Sequence, residues 1–144
     1  MAVTRASKQS EYLATVPLFS ALSRSDLRQV MRVAEELDVP SGQVLVTEGR
    51  TGREFFLILD GRAIVRRNGR KIATLGPGQY FGELALIDRK PRSATVEAAT
   101  TMKLLVLGQR EFAGLLETLP GVAAKLLTGL AQRLREADTR AVTH

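Results

Sequence analysis

The chain has 144 residues, enough for one domain with a real core, and its 44% hydrophobic and 25% charged content is ordinary for a globular protein. It contains no cysteine, which excludes disulfides, thiolate chemistry and cysteine-based metal sites. A net charge of +6 favours an anionic partner, whether a phosphate ligand, a nucleic acid or an acidic protein surface, and the scatter of the basic residues counts against nucleic acid.

No apolar run reaches the ~20 residues that span a bilayer, and Met1–Gln9 lacks an apolar signal core. A chain complete as it stands is therefore expected to be cytoplasmic, without membrane insertion. Glu11 to Val16 is a short helix candidate that must end before Pro17. Ser23 with Asp26 three residues later is a capping signal, followed by Leu27, Val30, Met31 and Ala34 at helical spacing. Residues 1–36 thus read as an N-terminal helical part.

From Leu37 to Leu107 the texture changes to short β-rich runs. Val44 to Thr47, Phe55 to Leu59, Ala63 to Arg67, Lys71 to Leu75 and Ala94 to Val96 read as strands. Asn68-Gly69 between two of them is a strong hairpin signal, because both central residues of that turn need positive φ. Asp60-Gly61 reads as a second hairpin turn, and Pro77-Gly78 suits a type II turn. After Gly108 helix returns. Phe112, Leu115, Leu116 and Leu119 form one segment that stops at Pro120, and a second runs from about Gly121 to Arg140. Leu126 and Leu127 are expected to pack on the chain's own barrel. Leu127, Leu130, Leu134, Ala137 and Ala141 form a heptad-like seam, so a homodimer through this helix is the competing use of the later positions. The expected fold class is α+β: an antiparallel β jelly-roll barrel over residues 37–107, flanked by N-terminal helices and by two C-terminal helices over 108–144, in one domain.

Phe81-Gly82-Glu83-Leu84-Ala85-Leu86-Ile87 followed by Pro91-Arg92-Ser93-Ala94-Thr95-Val96 carries the chemistry. Gly82 lets backbone approach a ligand closely, and Glu83 to Ile87 suits a short helix whose start presents unpaired N–H groups to a phosphate. Pro91 forces Lys90 out of helix, which brings Arg92 back beside that start, where a guanidinium can meet two phosphate oxygens. Glu83 would repel the same phosphate unless it accepts from a sugar hydroxyl. Phosphate plus hydroxyl describes a nucleotide. The plain alternatives are helix-start stabilisation for Glu83 and a surface ion pair for Arg92.

FGELALI followed by PRSATV resembles the phosphate-binding cassette of the cyclic nucleotide-binding domains. These occur in protein kinase A regulatory subunits, cyclic nucleotide-gated channels and the catabolite activator protein. The resemblance runs from Val16-Pro17-Leu18-Phe19 to the final helix, with Gly42, Gly49, Gly61, Gly76, Gly78 and Gly82 where that family turns. It implies a cassette over residues 81–95 in which Glu83 accepts from the ribose 2′-OH. Backbone amides around Gly82, Leu84 and Ala85 and the Arg92 side chain would hold the cyclic phosphate. Phe81 and Ala94 complete the cassette, and Ser93, which can add phosphate contacts, leaves cAMP against cGMP partly open. Leu134, Arg135 or Asp138 would cover the base. Arg53 departs from the family, where many members carry Asp.

The resemblance implies a non-catalytic cAMP sensor with no cofactor, which passes a ligand-driven repacking of its terminal helices to an effector that the sequence does not name. The alternative is a ligand-binding fragment of a larger cAMP-responsive transcription regulator or cyclic nucleotide-gated channel. Catalysis is disfavoured because the only histidine is His144 and no carboxylate cluster suggests a metal.

Overall fold

The computed structural model describes residues 13–83 and 90–143, with the side chains of 133 and 137–143 left out. The chain divides into two compact units, a β unit of residues 32–112 and a helical unit formed by the segments on either side.

In the helical unit, residues 13–15 are helical and a 3₁₀ turn spans Pro17–Phe19, with proline at its start where no N–H is needed. Helix α1 covers Arg24–Val33. Its predicted cap is present: the Asp26 amide donates to Ser23 Oγ (3.1 Å), and the Ser23 amide donates to Asp26 Oδ2 (3.3 Å). This reciprocal box satisfies two amides that a helix start otherwise leaves unpaired. Helix α2 (Gln109–Thr118) ends before Pro120, which opens helix α3 (Pro120–Thr143). Leu126 is buried, but Leu127 is 67% exposed, so the expectation that both pack inward fails for Leu127. Consecutive helical residues lie about 100° apart, and here Leu126 takes the inward-facing position while Leu127 is turned to the surface. Leu134, on the same seam as Leu127, is 64% exposed.

The β unit holds β1 (Glu35–Val39), β2 (Val44–Val46), β3 (Glu54–Asp60), β4 (Ala63–Arg67), β5 (Arg70–Leu75), β6 (Tyr80–Phe81), β7 (Thr95–Ala98) and β8 (Met102–Gly108). They form two four-stranded antiparallel sheets, ordered β1-β8-β3-β6 and β2-β7-β4-β5. The jelly-roll expectation holds: the strands form a two-sheet β roll, and among the described residues no ladder closes the two sheets on each other. The long edge strands carry charge, Glu35, Glu36 and Asp38 on β1 and Arg70 and Lys71 on β5, a composition that resists further pairing. Between the sheets lies an apolar core of Val39, Phe56, Ile58, Ala63, Phe81, Val96, Ala98, Met102 and Leu104.

Asn68 (φ 53°) and Gly69 (φ 78°) make the predicted hairpin between β4 and β5. Gly78 has φ 87°, and the Gln79 amide donates to Gly76 O (3.1 Å), which closes the Pro77-Gly78 turn. Asp60-Gly61 is not a hairpin turn, because β3 and β4 belong to different sheets and the chain crosses between them there. The crossing is pinned to the β7–β8 connection, where the Arg62 amide donates to Thr100 Oγ1 (3.0 Å) and the Ala99 amide to Arg62 O (2.9 Å). Gly61 has φ 88°, and a Cβ there would lie 2.9 Å from Met102 Cα. Gly61→Ala is therefore expected to cost more than about 1 kcal/mol, read as a lower chemical denaturation midpoint at unchanged slope.

Candidate functional site

The site is built around Arg92, in the segment that enters β7. Pro91 and Ser93 on either side are exposed, yet Arg92 is only 6% exposed. Its main chain is stitched to the loop between β2 and β3: the Arg92 amide donates to Arg50 O and the Gly49 amide to Arg92 O, both at 2.8 Å. Its guanidinium reaches the other sheet, where Nη1 donates to Gly82 O (3.0 Å) and Nη2 to Glu54 O (2.8 Å). These acceptors sit at the start of β3 and just past β6, neighbouring strands paired through Phe56–Phe81 and Leu57–Tyr80.

Nε of Arg92 is buried and has no hydrogen-bond partner among the described residues. Buried donors are normally paired, so an unpaired one on a charged group marks a place for an acceptor. Burial pulls the Arg92 pKa below its ordinary value, while the charges of Glu54 and Glu83 push it back up. The cation is held where water cannot solvate it well, and an anion would relieve that.

Two glycines make room for this arrangement. A Cβ on Gly52 would overlap Nε, Cζ and Nη2 of Arg92. Gly82 has φ 96°, and a Cβ there would lie 2.6 Å from Glu54 O and 2.8 Å from Nη1. A cavity of about 510 Å³ opens against Arg92, lined by residues 45–47 and 50–54. That volume falls in the range of about 300–1,000 Å³ usual for small-ligand sites.

Glu83 is 3% exposed and helical, directly after the carbonyl that holds Nη1. Its charge is felt at Arg92, although it is not among the residues lining the cavity. The structure therefore brings Glu83, Gly82 and Arg92 together. Phe81 is buried in the core, its ring stacked on Phe56 at 4.8 Å. Ser93 is exposed, its carbonyl accepting from Arg67 Nε (3.1 Å), and Ala94 is half-buried. Leu84 and Ala85 lie outside the described residues, as does the rest of the expected cassette helix. Leu134 and Arg135 are exposed on α3, and the Asp138 side chain is outside the description. Sequence reasoning missed Gly52 and the carbonyl of Glu54. A glycine facing a distant side chain leaves no local pattern, and a carbonyl acceptor leaves none in any sequence.

Residues 36–119 match the family model described as Cyclic nucleotide-binding domain, which is more than half of the chain. This chain belongs to the cyclic nucleotide-binding domain family. A cyclic nucleotide-gated potassium channel of Mesorhizobium japonicum is 39% identical over 78% of this chain and 31% of its own length. The crystal structure of Thermus thermophilus catabolite activator protein is similar with a TM-score of 0.81 and 34% identity, over 87% of this chain and 61% of that one. The regulatory domain of Toxoplasma gondii PKA, co-crystallised with cAMP, is similar with a TM-score of 0.70 and 28% identity, over 78% of this chain and 44% of that one. The chain thus spans less than two thirds of the length of each of these relatives. Among the described residues no helix is long and apolar enough to cross a membrane, and no cluster of His, Cys, Asp or Glu could hold a metal ion. As a cyclic nucleotide-binding domain the chain is homologous to cAMP sensors, a family of regulatory modules that are generally non-catalytic.

Within this domain Gly52→Ala is expected to displace the Arg92 guanidinium and break at least one carbonyl contact. Folding stability should fall by about 1–3 kcal/mol, and the Arg92 Nε–H resonance should shift in ¹⁵N–¹H spectra. An unchanged resonance and midpoint would show that the guanidinium does not depend on that glycine.

Proposed function

We propose that this chain is a sensor that binds cAMP through Arg92 and Glu83 and does no chemistry on it. The observation that carries the reading is the buried guanidinium of Arg92, fixed by two carbonyls with Nε unpaired against the cavity. Two anchors hold its plane in place, so a phosphate oxygen meets a donor whose entropy is already spent. Glu83 accepts from the ribose 2′-OH, and its charge is tolerated near the phosphate because Arg92 offsets it. Backbone amides of Gly82, Leu84 and Ala85 complete the phosphate contacts, with Ser93 and Ala94 behind them and Phe81 anchoring the segment in the core.

The base is covered from α3, by Leu134, Arg135 or Asp138. A homodimer through α3 is supported by the exposure of Leu127 and Leu134 on its seam. Preference for cAMP over cGMP is supported by the relatives whose names carry cAMP. A place in a larger transcription regulator or channel is the second reading, favoured by the fraction of those relatives' length that this chain spans.

Titration calorimetry is expected to give a Kd for cAMP at or below about 1 μM, near −8 kcal/mol. Arg92→Ala should weaken that at least about tenfold, since a hydrogen bond to a charged group contributes roughly 1.5–3 kcal/mol. Circular dichroism should show the fold retained. No binding heat for the wild type across a range of temperatures would remove the reading.

The ribose contact has its own test. 2′-Deoxy-cAMP should bind the wild type roughly tenfold more weakly than cAMP, as loss of one charged hydrogen bond predicts. Glu83→Gln should shrink that gap. An equal gap in both proteins would put the hydroxyl elsewhere.

A further inference from the structure

The cavity against Arg92 carries more charge than one guanidinium. Arg50, Arg53 and Glu54 also line it. The charges of Glu54 and Glu83 both act on Arg92. Arg92 against these two carboxylates leaves no positive surplus to draw an anion from a distance. Arg50 and Arg53 supply that surplus. Both are exposed on the loop between β2 and β3. The loop's position is fixed to Arg92 by the two backbone hydrogen bonds at Gly49 and Arg50.

We propose that Arg50 and Arg53 set the sign of the field at this cavity and draw a monoanionic phosphodiester ligand into it from solution. The proposal rests on the reading of the site as a cyclic nucleotide pocket and adds a division of labour within it. Arg92 is buried and little screened, so it governs how long the ligand stays. The rim guanidinium groups are exposed, so they act before contact, over distances that salt controls. Clefts of one sign focus the field and raise association rates by roughly 10 to 1,000-fold, an effect that falls steeply with ionic strength. Arg53 is the informative position, because an acidic side chain there would leave the cavity with no positive surplus.

The test is stopped-flow association of a fluorescent cAMP analogue with the full chain, from about 0.01 M to about 0.15 M salt, where the Debye length falls from about 30 Å to about 8 Å. For the wild type the association rate should fall several-fold across that range. In the double variant Arg50→Gln/Arg53→Gln it should drop roughly tenfold at low salt, its salt dependence should become flat or reversed, and the dissociation rate should stay the same. The double variant Arg50→Lys/Arg53→Lys should keep the wild-type slope, since charge and not fork geometry is what acts at a distance. The single variant Arg53→Gln gives the same readout as the double glutamine variant with a smaller effect. A double glutamine variant that keeps the wild-type salt slope, a loss confined to dissociation, or a double lysine variant that loses the slope each overturns the proposal alone. A wild type that binds no cyclic nucleotide overturns both it and the function it rests on.

Discussion

The guanidinium of Arg92 is a tie between two sheets, and the site exists because of it. Its main chain lies just before β7, a strand of the sheet β2-β7-β4-β5, and is hydrogen-bonded to the β2–β3 loop. Its side chain is bound to carbonyls at the ends of β3 and β6, in the opposite sheet. Among the described residues no ladder joins the two sheets, so at this end a side chain supplies a hydrogen-bonded link that backbone pairing does not. A charged donor to a carbonyl contributes roughly 1.5–3 kcal/mol, and two of them outweigh the ordinary cost of ordering one long side chain, about 2 kcal/mol. The cost left over is desolvation, visible as the lowered pKa. An anion at Nε would offset that cost, because it brings the one thing the buried cation lacks.

The glycines around the tie follow from the same geometry. Gly52 and Gly82 are the places where backbone comes too close to the guanidinium for a Cβ. Gly82 also has a positive φ, and its carbonyl accepts from Nη1 while the next residue is helical. Position 82 therefore answers to a backbone angle and a contact at once, and position 52 to the contact alone.

This difference explains what was legible in the sequence. Turns with a local signature were read correctly: Asn68-Gly69 and Pro77-Gly78 fix their own backbone angles. Asp60-Gly61 has the same local look but joins strands of different sheets, a fact decided by long-range pairing and not by the dipeptide. β8 was not singled out because its Leu104-Leu105-Val106-Leu107 run does not alternate. Leu104 faces the core and Leu105 is buried as well, so periodicity cannot tell such a run from buried helix. β1 was missed because Glu35-Glu36-Leu37-Asp38 has poor strand propensity and takes its form from pairing with β8. Glu83 and Arg92 were legible because Gly82 and Pro91 set the backbone around them, and the residue types constrain the chemistry. The partners of Arg92 were not, since they are main-chain atoms and a missing methyl group.

A ligand can shift a conformational equilibrium only by binding one state better than another. On the proposed reading, a phosphate on Arg92 would be gripped best when the guanidinium plane is held by Gly82 O and Glu54 O, and would favour the arrangement in which both sheets are tied. That state also fixes what is bonded to the tie. The loop at Gly49 and Arg50 moves with the Arg92 backbone, Glu48 on that loop accepts from the Asn68 amide at the β4–β5 turn (3.0 Å), and Arg67 donates to Ser93 O beside Arg92. On the proposed reading, binding at the phosphate steadies the backbone of the loop that carries Arg50 and Arg53, while the exposed side chains of those two residues stay free of the tie and act only through their charge.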